Sequence, residues 1–177
     1  MIGFLSRLRR DRRGVSAVEF ALIAPAMIAF YFGLAEITQA LLAERRAGHA
    51  ASAIGDLVAQ SSTISNTEIT DIFAIAATIM KPYPTTSLQM RVTSVSANGS
   101  GVTTVDWSSA QGGLTAYSSG AAITVPSGVI AANQSVVMSE VNYSYDSPVD
   151  FFMPNGVTFS RKFYLRPRKS DKVTKSN

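Results

Sequence analysis

A long apolar segment directly after an arginine cluster constrains this chain more than any other feature. Residues 20–35 carry no charge, and residues 15–35 are interrupted only by Glu19. At 1.5 Å per residue, a helix over residues 15–35 is about 31 Å long, enough to cross a hydrocarbon core of about 30 Å. Apolar and small residues then continue through Ala43, and no helix breaker lies between Gly33 and Gly48. We therefore predict a transmembrane helix over residues 15–43.

The charges are distributed unevenly along the chain. The formal net charge is +4, and residues 1–14, with five arginines and one aspartate, carry a surplus of the same size. Residues 15–160 hold four basic and ten acidic side chains, whereas residues 161–177 hold seven basic side chains and one acidic one. The positive-inside rule keeps the arginine cluster in the cytoplasm, so the rest of the chain is expected on the far side of the membrane. Because the surplus precedes the membrane segment, nucleic acid is not an expected partner.

The same pattern has a second interpretation. A basic start, an apolar stretch and a small-x-small triplet also describe a secretory signal peptide, and Gly33-Leu34-Ala35 fits the triplet. In that case the mature chain begins at Glu36. Apolar and small residues continue through Ala43, which favours an uncleaved helix at this point.

A short motif lies where the apolar segment begins. The run Arg12-Arg13-Gly14-Val15-Ser16-Ala17-Val18-Glu19-Phe20 resembles the cleavage motif of type IV pilins, which a membrane-embedded prepilin peptidase cuts after the glycine. The longer run RRGVSAVEFALIAPAMIAFYFGLAEI is similar to the N-terminal signature of the TadE/TadG family of pilin-like proteins, from tight-adherence (Flp) type IV pilus systems. The resemblance is close over residues 12–46, and the 177-residue length favours the short TadE-like type. Weaker similarity covers Val141–Tyr145 with Pro148, and Arg166-Pro167-Arg168.

The resemblance implies a role for each residue around the cleavage point. Arg12 and Arg13 are the implied leader-recognition residues, and cleavage after Gly14 makes Val15 the new N-terminus. The glycine suits a protease cleft because it has no side chain and little φ restriction. Phe20 completes the implied processing motif.

Glu19 and Pro25 are the implied assembly residues. A carboxylate at the bilayer centre costs about 2.5–3.5 kcal/mol, which makes Glu19 a functional candidate, although near the cytoplasmic end it can also snorkel to the headgroups. Under the resemblance, Glu19 neutralises the α-amino group of Val15 on a neighbouring subunit and fixes the axial register. Pro25 lies in mid-span, where either an assembly role or a harmless kink fits.

The resemblance also implies a function and a set of partners. The chain is expected to be a pseudopilin or minor pilin in pilus assembly, surface attachment and biofilm formation. It is expected to lie in the inner membrane as a single-pass protein with a periplasmic head, with incorporation into the surface pilus as a further destination. The implied partners are the prepilin peptidase, the major pilin and other minor pilins, membrane lipid, an assembly platform with its cytoplasmic ATPase, and an outer-membrane secretin. The alternative is a membrane-anchored or secreted adhesin module with an ordinary signal or anchor.

The remaining sequence predicts an α+β fold, with the N-terminal helix extended into a stalk and a second helix packed on a small antiparallel sheet. Ser65-x-x-Glu68 fits a capping box, and an i, i+3, i+4 apolar stripe follows it as far as Lys81-Pro82. From Ser87 the apolar period changes to two, and Asn98-Gly99 is a hairpin signal. The expected division is a leader (1–14), a transmembrane helix (15–43), a helical stalk (44–60), a periplasmic head (61–165) and a mobile basic tail (166–177).

No enzymatic site is expected. The chain has no cysteine, and its single histidine, His49, falls on the predicted stalk. Asp146 and Asp150 supply too few oxygens for calcium, so a solvated turn is the simpler interpretation and no cofactor or metal is expected. For the basic tail two interpretations stand: contact with an anionic surface, or a solubilising end that pairs with the acidic body of a neighbouring subunit.

Overall fold

The computed structural model describes residues 14–148 and 152–176, so the leader arginines Arg12 and Arg13 and the carboxylate Asp150 lie outside the described residues. Within these described residues two helices and six strands follow one another, and the α+β class predicted from the sequence is confirmed. The elements are α1 (Val15–Ala59), β1 (Thr63–Ile64), α2 (Asn66–Ile79), β2 (Leu88–Ala97), β3 (Thr103–Gln111), β4 (Ser135–Tyr145), β5 (Val157–Leu165) and β6 (Thr174–Lys175).

Helix α1 is one uninterrupted element of 45 residues, about 67 Å long at 1.5 Å per residue. No residue from 15 to 32 is buried, whereas burial begins at Gly33 and recurs to the C-terminal end of the helix. The rest of the protein therefore packs against one face of α1 from Gly33 onward, and the segment without a buried face is shorter than the expected span over residues 15–43. Residues 15–32 measure about 27 Å, which is close to the thickness of a hydrocarbon core.

The C-terminal half of α1 is part of the head and is not a stalk outside it. Its buried face consists mostly of small residues, with Ile54 and Val58 also fully buried near its C-terminal end, whereas Ile37, Leu41 and Leu42 stay 42–50% exposed on the opposite face. A face made mostly of small side chains lets the helix backbone approach its neighbours closely. The fully buried alanines are Ala43, Ala47, Ala50, Ala51 and Ala59.

The main sheet is antiparallel with strand order β3-β2-β4-β5. Helix α1 covers one face of it, and the hydroxyl of Ser139 on β4 donates a buried hydrogen bond of 2.7 Å to the backbone oxygen of Ala51. Helix α2 packs mainly on α1. The alanine face of α1 covers the sheet beside it.

The opposite face of the sheet is covered by the long connection between β3 and β4. Arg91 on β2 holds this connection, since its guanidinium lies 3.8 Å from the ring centroid of Tyr117 and donates to the backbone oxygen of Thr115 at 2.8 Å. Arg91 also pairs with Glu140 on β4 at 2.6 Å, and Lys162 pairs with the other oxygen of Glu140 at 2.7 Å. Burial alone would raise the pKa of Glu140, but the hydrogen bonds and charges of Arg91 and Lys162 outweigh it and hold the pKa below its ordinary value.

Two local signals in the sequence have the predicted structure. Ser65 caps α2: its hydroxyl accepts from the Glu68 backbone N–H, and the Glu68 carboxylate accepts from the Ser65 backbone N–H at 2.7 Å. The hairpin between β2 and β3 turns at Asn98, whose side-chain oxygen accepts from two backbone N–H groups of the turn. The residue with positive φ in this turn is Gly101 and not Gly99.

The basic tail is packed on the head, so the prediction of a mobile tail over residues 166–177 is wrong for its described part. Strand β6 pairs in parallel with β1, and Val173 just before it is fully buried. The indole N–H of Trp107 on β3 donates to the backbone oxygen of Val173 at 2.7 Å. A single buried side chain and backbone pairing hold the tail, and neither gives an apolar period that sequence reasoning could detect.

Cations of β5 and of the tail pair with carboxylates of the same chain. The acidic body that the sequence assigned to a neighbouring subunit is therefore also an intramolecular partner. These ion pairs lie at the protein surface, so no charge has to be buried. Each pair therefore contributes little to stability. The pairs are Arg161 with Glu44, Arg168 with Asp56 and Lys172 with Asp106.

Candidate functional site

Gly14 stands at the boundary between the leader and α1. It is the N-cap residue of the helix, without a side-chain capping bond, and its φ of −92° is accessible to any amino acid. No atom of the described chain lies within 4 Å of the position that a Cβ would occupy. Neither backbone conformation nor packing within the described residues therefore requires glycine here.

The residues that follow Gly14 point away from the rest of the chain. Val15 begins α1, and Glu19 lies one turn further along the same exposed stretch. Phe20 is 72% exposed, although aromatic side chains of this size are commonly buried. Pro25 lies inside the helix, which continues through it as predicted.

The exposed part of α1 has the length and composition of a membrane span. Large apolar side chains point outward over its whole circumference, which in water would be a large unfavourable surface. They include Leu22, Ile23, Met27, Ile28, Phe30 and Tyr31, each more than half exposed. The described helix is consistent with single-pass membrane anchoring.

The junction between the span and the head is formed by Gly33, Glu36 and Phe152, which sequence reasoning did not bring together. A Cβ on Gly33 would lie 2.4 Å from the Phe152 ring, so the glycine makes room for that ring. The backbone N–H of Phe152 donates to Oε2 of the buried Glu36 at 2.8 Å. The loop between β4 and β5 is thereby attached to α1 one turn past the exposed segment.

An aromatic cluster attaches a second loop to α1 close to this junction. The hydroxyl of Tyr83 lies 2.9 Å from the side-chain oxygen of Gln39, and the Tyr83 ring packs edge-on against Tyr145 with centroids 6.0 Å apart. Arg46 lies 5.9 Å from the centroid of the same ring. Burial raises the pKa of the Tyr145 phenol above its ordinary value, and nearby Tyr83 and Glu36 raise it further. Tyr145 and Tyr143 lie on β4, a central strand, where both are buried.

An open groove of about 940 Å³ lies beside this cluster. Prolines, tyrosines and hydroxyl side chains form most of its wall, and Asp146 is the charged residue among those lining it. Within residues 14–148 and 152–176, no group of three or more His, Asp or Glu side chains is placed to hold a metal ion. His49 lies on the surface of α1. The described lining offers aromatic rings, hydroxyl groups and one carboxylate for contact with another molecule.

Comparison with known proteins adds one finding. Residues 14–55 match the family model described as TadE-like protein. The match begins at Gly14 and ends within α1, so it covers the exposed span, the junction residues on the helix and most of the alanine face. No curated protein and no solved structure matches the chain. The family match confirms the resemblance predicted from the sequence over residues 14–55, from the start of α1 through most of its length.

Proposed function

We propose that this chain is a pseudopilin or minor pilin of a tight-adherence type IV pilus, cleaved after Gly14 by a prepilin peptidase. The family match supports a role in this class of pilus, whose TadE-like members are structural and not enzymatic. The finer assignments are our inference: a cytoplasmic leader, an inner-membrane helix, a periplasmic head, and partners that include the peptidase, the major pilin and the assembly platform.

The observation that carries the proposal is the unconstrained glycine at the helix start. Inside a helix, glycine costs about 1 kcal/mol relative to alanine. At an N-cap position, a serine, threonine, asparagine or aspartate is at least as favourable as glycine. Since the described fold makes no use of the missing side chain of Gly14, this glycine is free to serve recognition by another protein. An extended glycine in a protease cleft meets that requirement.

The exposed face of α1 supports assembly by lateral packing of helices. Beyond the span, Ile37, Leu41 and Leu42 remain exposed on the face turned away from the head. They continue the apolar surface that begins at Val15, so a neighbouring helix can pack on α1 both inside and outside the bilayer. Glu19 supplies the charge that pairs with the α-amino group of a neighbouring Val15 in low dielectric.

Processing is tested by determining the mature N-terminus and comparing two glycine variants. Full-length chain is expressed with the peptidase, and N-terminal sequencing is expected to give Val15. Gly14→Val should leave the chain uncleaved, whereas Gly48→Val should be cleaved normally because a Cβ at Gly48 also meets no atom within 4 Å. A mature chain that begins at Glu36 would support ordinary secretion, and an intact Met1 would support an uncleaved anchor.

Assembly is tested separately with Glu19→Ala. We expect normal cleavage but a reduced amount of the protein in sheared pili, because the positive charge of the neighbouring N-terminus is left unpaired in a low dielectric. Asp71→Ala, which removes an exposed carboxylate from α2, serves as the matched control and should leave incorporation unchanged. Normal piliation by Glu19→Ala would contradict the assigned role of the carboxylate.

A further inference from the structure

The direction of β4 and β5 along α1 identifies the end of the head that is nearest to the membrane. Ser139 on β4 contacts Ala51, and Tyr145 at the end of the same strand lies beside Tyr83, which bonds Gln39. Strand β4 therefore runs toward the exposed span. The turn at Asn98 lies at the opposite end, because Ser96 just before it pairs with Ser135 at the start of β4.

Phe152 is at the extreme of the membrane-proximal end. Its ring packs against Gly33, the first residue of α1 that is buried, and the ring is nevertheless 55% exposed. Residues 15–32 already span about 27 Å, so Gly33 lies at the edge of a hydrocarbon core of about 30 Å. Tyr31 and Phe32, exposed on α1 at the same level, have the positions of an interfacial aromatic belt.

The surface around Phe152 is suited to the lipid boundary and poorly suited to water. The groove next to it is lined by Pro82, Pro84, Pro148 and Pro154 together with tyrosines, and Asp146 is the charged residue in its lining. Proline contributes no backbone N–H that would have to be desolvated, and tyrosine has an apolar ring with a polar end that favours interfaces. Among the described residues, the groove lining holds one charged side chain, whereas the sides of the head carry several ion pairs, and this difference fits a lipid neighbour at that end.

We propose that Phe152 inserts into the headgroup–acyl boundary of the outer leaflet and anchors the head to the membrane at a second point beside α1. The occupant of this surface is lipid. The hydrogen bond from the Phe152 backbone to Glu36 and the ring's packing on Gly33 hold the aromatic side chain at this depth. With one anchor the head can tilt about the end of the span, whereas two anchors fix its orientation to the bilayer. The inference rests on the membrane insertion of α1 in the proposed function.

Depth-dependent fluorescence quenching tests the proposal with the full chain in vesicles of phosphatidylethanolamine and phosphatidylglycerol. The native Trp107 is 8% exposed within the head and provides the baseline emission. Phe152→Trp adds a reporter at the proposed anchor, Phe30→Trp adds one inside the span, and Val102→Trp adds one at the distal turn, where the native side chain is 53% exposed. Lipids brominated either near the headgroup or near the acyl end serve as quenchers.

We expect the added emission of Phe152→Trp to be blue-shifted and quenched more by shallow than by deep bromines. The added emission of Phe30→Trp should be quenched by the deeper bromines. Bromines at either depth should quench Val102→Trp no more than they quench the native protein, whose emission comes from Trp107. If Phe30→Trp is quenched while Phe152→Trp is not, α1 spans the membrane and the second anchor is refuted. If Phe30→Trp also escapes quenching, the membrane span fails and both proposals fall together. Equal quenching of Phe152→Trp and Val102→Trp would indicate nonspecific adsorption of the head and would overturn the proposal.

Discussion

Two glycines of α1 are expected to respond in opposite directions to the same substitution. Around Gly48, no atom lies within 4 Å of the position of an added Cβ. Around Gly55, the added Cβ would lie 2.4 Å from Cδ1 of Leu165 and 2.9 Å from Oγ of Ser139. The space around Gly48 is free for a side chain, whereas at Gly55 the helix packs closely against side chains of the sheet. Gly48→Ala should therefore stabilise the protein, and Gly55→Ala should destabilise it.

The magnitudes follow from three contributions. Alanine is favoured over glycine inside a helix by about 0.8–1.0 kcal/mol, and this gain is common to both sites. At Gly55, overpacking costs about 1–3 kcal/mol, and Ser139 must move while its hydrogen bond of 2.7 Å to Ala51 is buried. Losing that bond costs about a further 1–3 kcal/mol. The expected changes in the free energy of unfolding are therefore about +0.5 to +1 kcal/mol for Gly48→Ala and about −1 to −5 kcal/mol for Gly55→Ala.

The free energy of unfolding of the head is measured by urea titration of the full chain in detergent micelles, with Trp107 emission as the probe. The double variant Gly55→Ala/Ser139→Ala provides an internal check, since removing the Ser139 hydroxyl relieves one of the two clashes. The double variant should be more stable than the sum of the two single changes predicts. If Gly55→Ala stabilises the head as much as Gly48→Ala does, the described packing of α1 on β4 is incorrect.

Two further outcomes follow from Glu140 and from Val173. The folded pKa of Glu140 is below its unfolded value near 4.3, so its contribution to the free energy of unfolding is present above that value and is lost as the pH falls through the folded pKa. Glu140→Gln should lower stability at pH 7 by about 2–3 kcal/mol, because Arg91 loses its carboxylate partner and is largely buried. The same variant should flatten the acid limb of a stability–pH curve. Val173→Ala should cost about 1.5–3 kcal/mol because the side chain is fully buried, and it should shift Trp107 emission to the red as the tail loosens.

Each of these has a distinct contradicting result. An unchanged acid limb in Glu140→Gln would mean that another carboxylate dominates acid unfolding. A Val173→Ala variant with native stability and native Trp107 emission would mean that the tail is not held on the head in solution.

The local elements were predictable because each depends on residues close together in sequence. The capping box at Ser65 and Glu68 is a four-residue signal, and the strands from Ser87 onward follow a period of two. The cleavage motif at Gly14 was also recognisable from a continuous run, and the family match over residues 14–55 begins there.

The arrangement of the elements was not predictable from the same signals. Apolar patterning gives weight to large side chains such as Ile37 and Leu41, which are exposed, whereas the face that packs on the sheet is made of alanines. Small residues indicate a close approach only when the partner is known. The junction of Gly33 and Glu36 with Phe152 joins residues more than a hundred positions apart, and no local pattern links them.

The pairing of β6 with β1 sets an order of events during synthesis and export. The hydroxyls of Thr63 and Thr174 lie 3.0 Å apart although 111 residues separate them in the sequence. Under the proposed function the N-terminus stays in the cytoplasm and the rest of the chain is exported in sequence order, so α1 is held in the bilayer before β4 and β5 emerge to cover its alanine face. The head cannot close until Val173 has crossed, so under the same proposal a subunit that is still being translocated presents an incomplete surface to a growing filament. Completion of export then precedes completion of the surface that assembly uses.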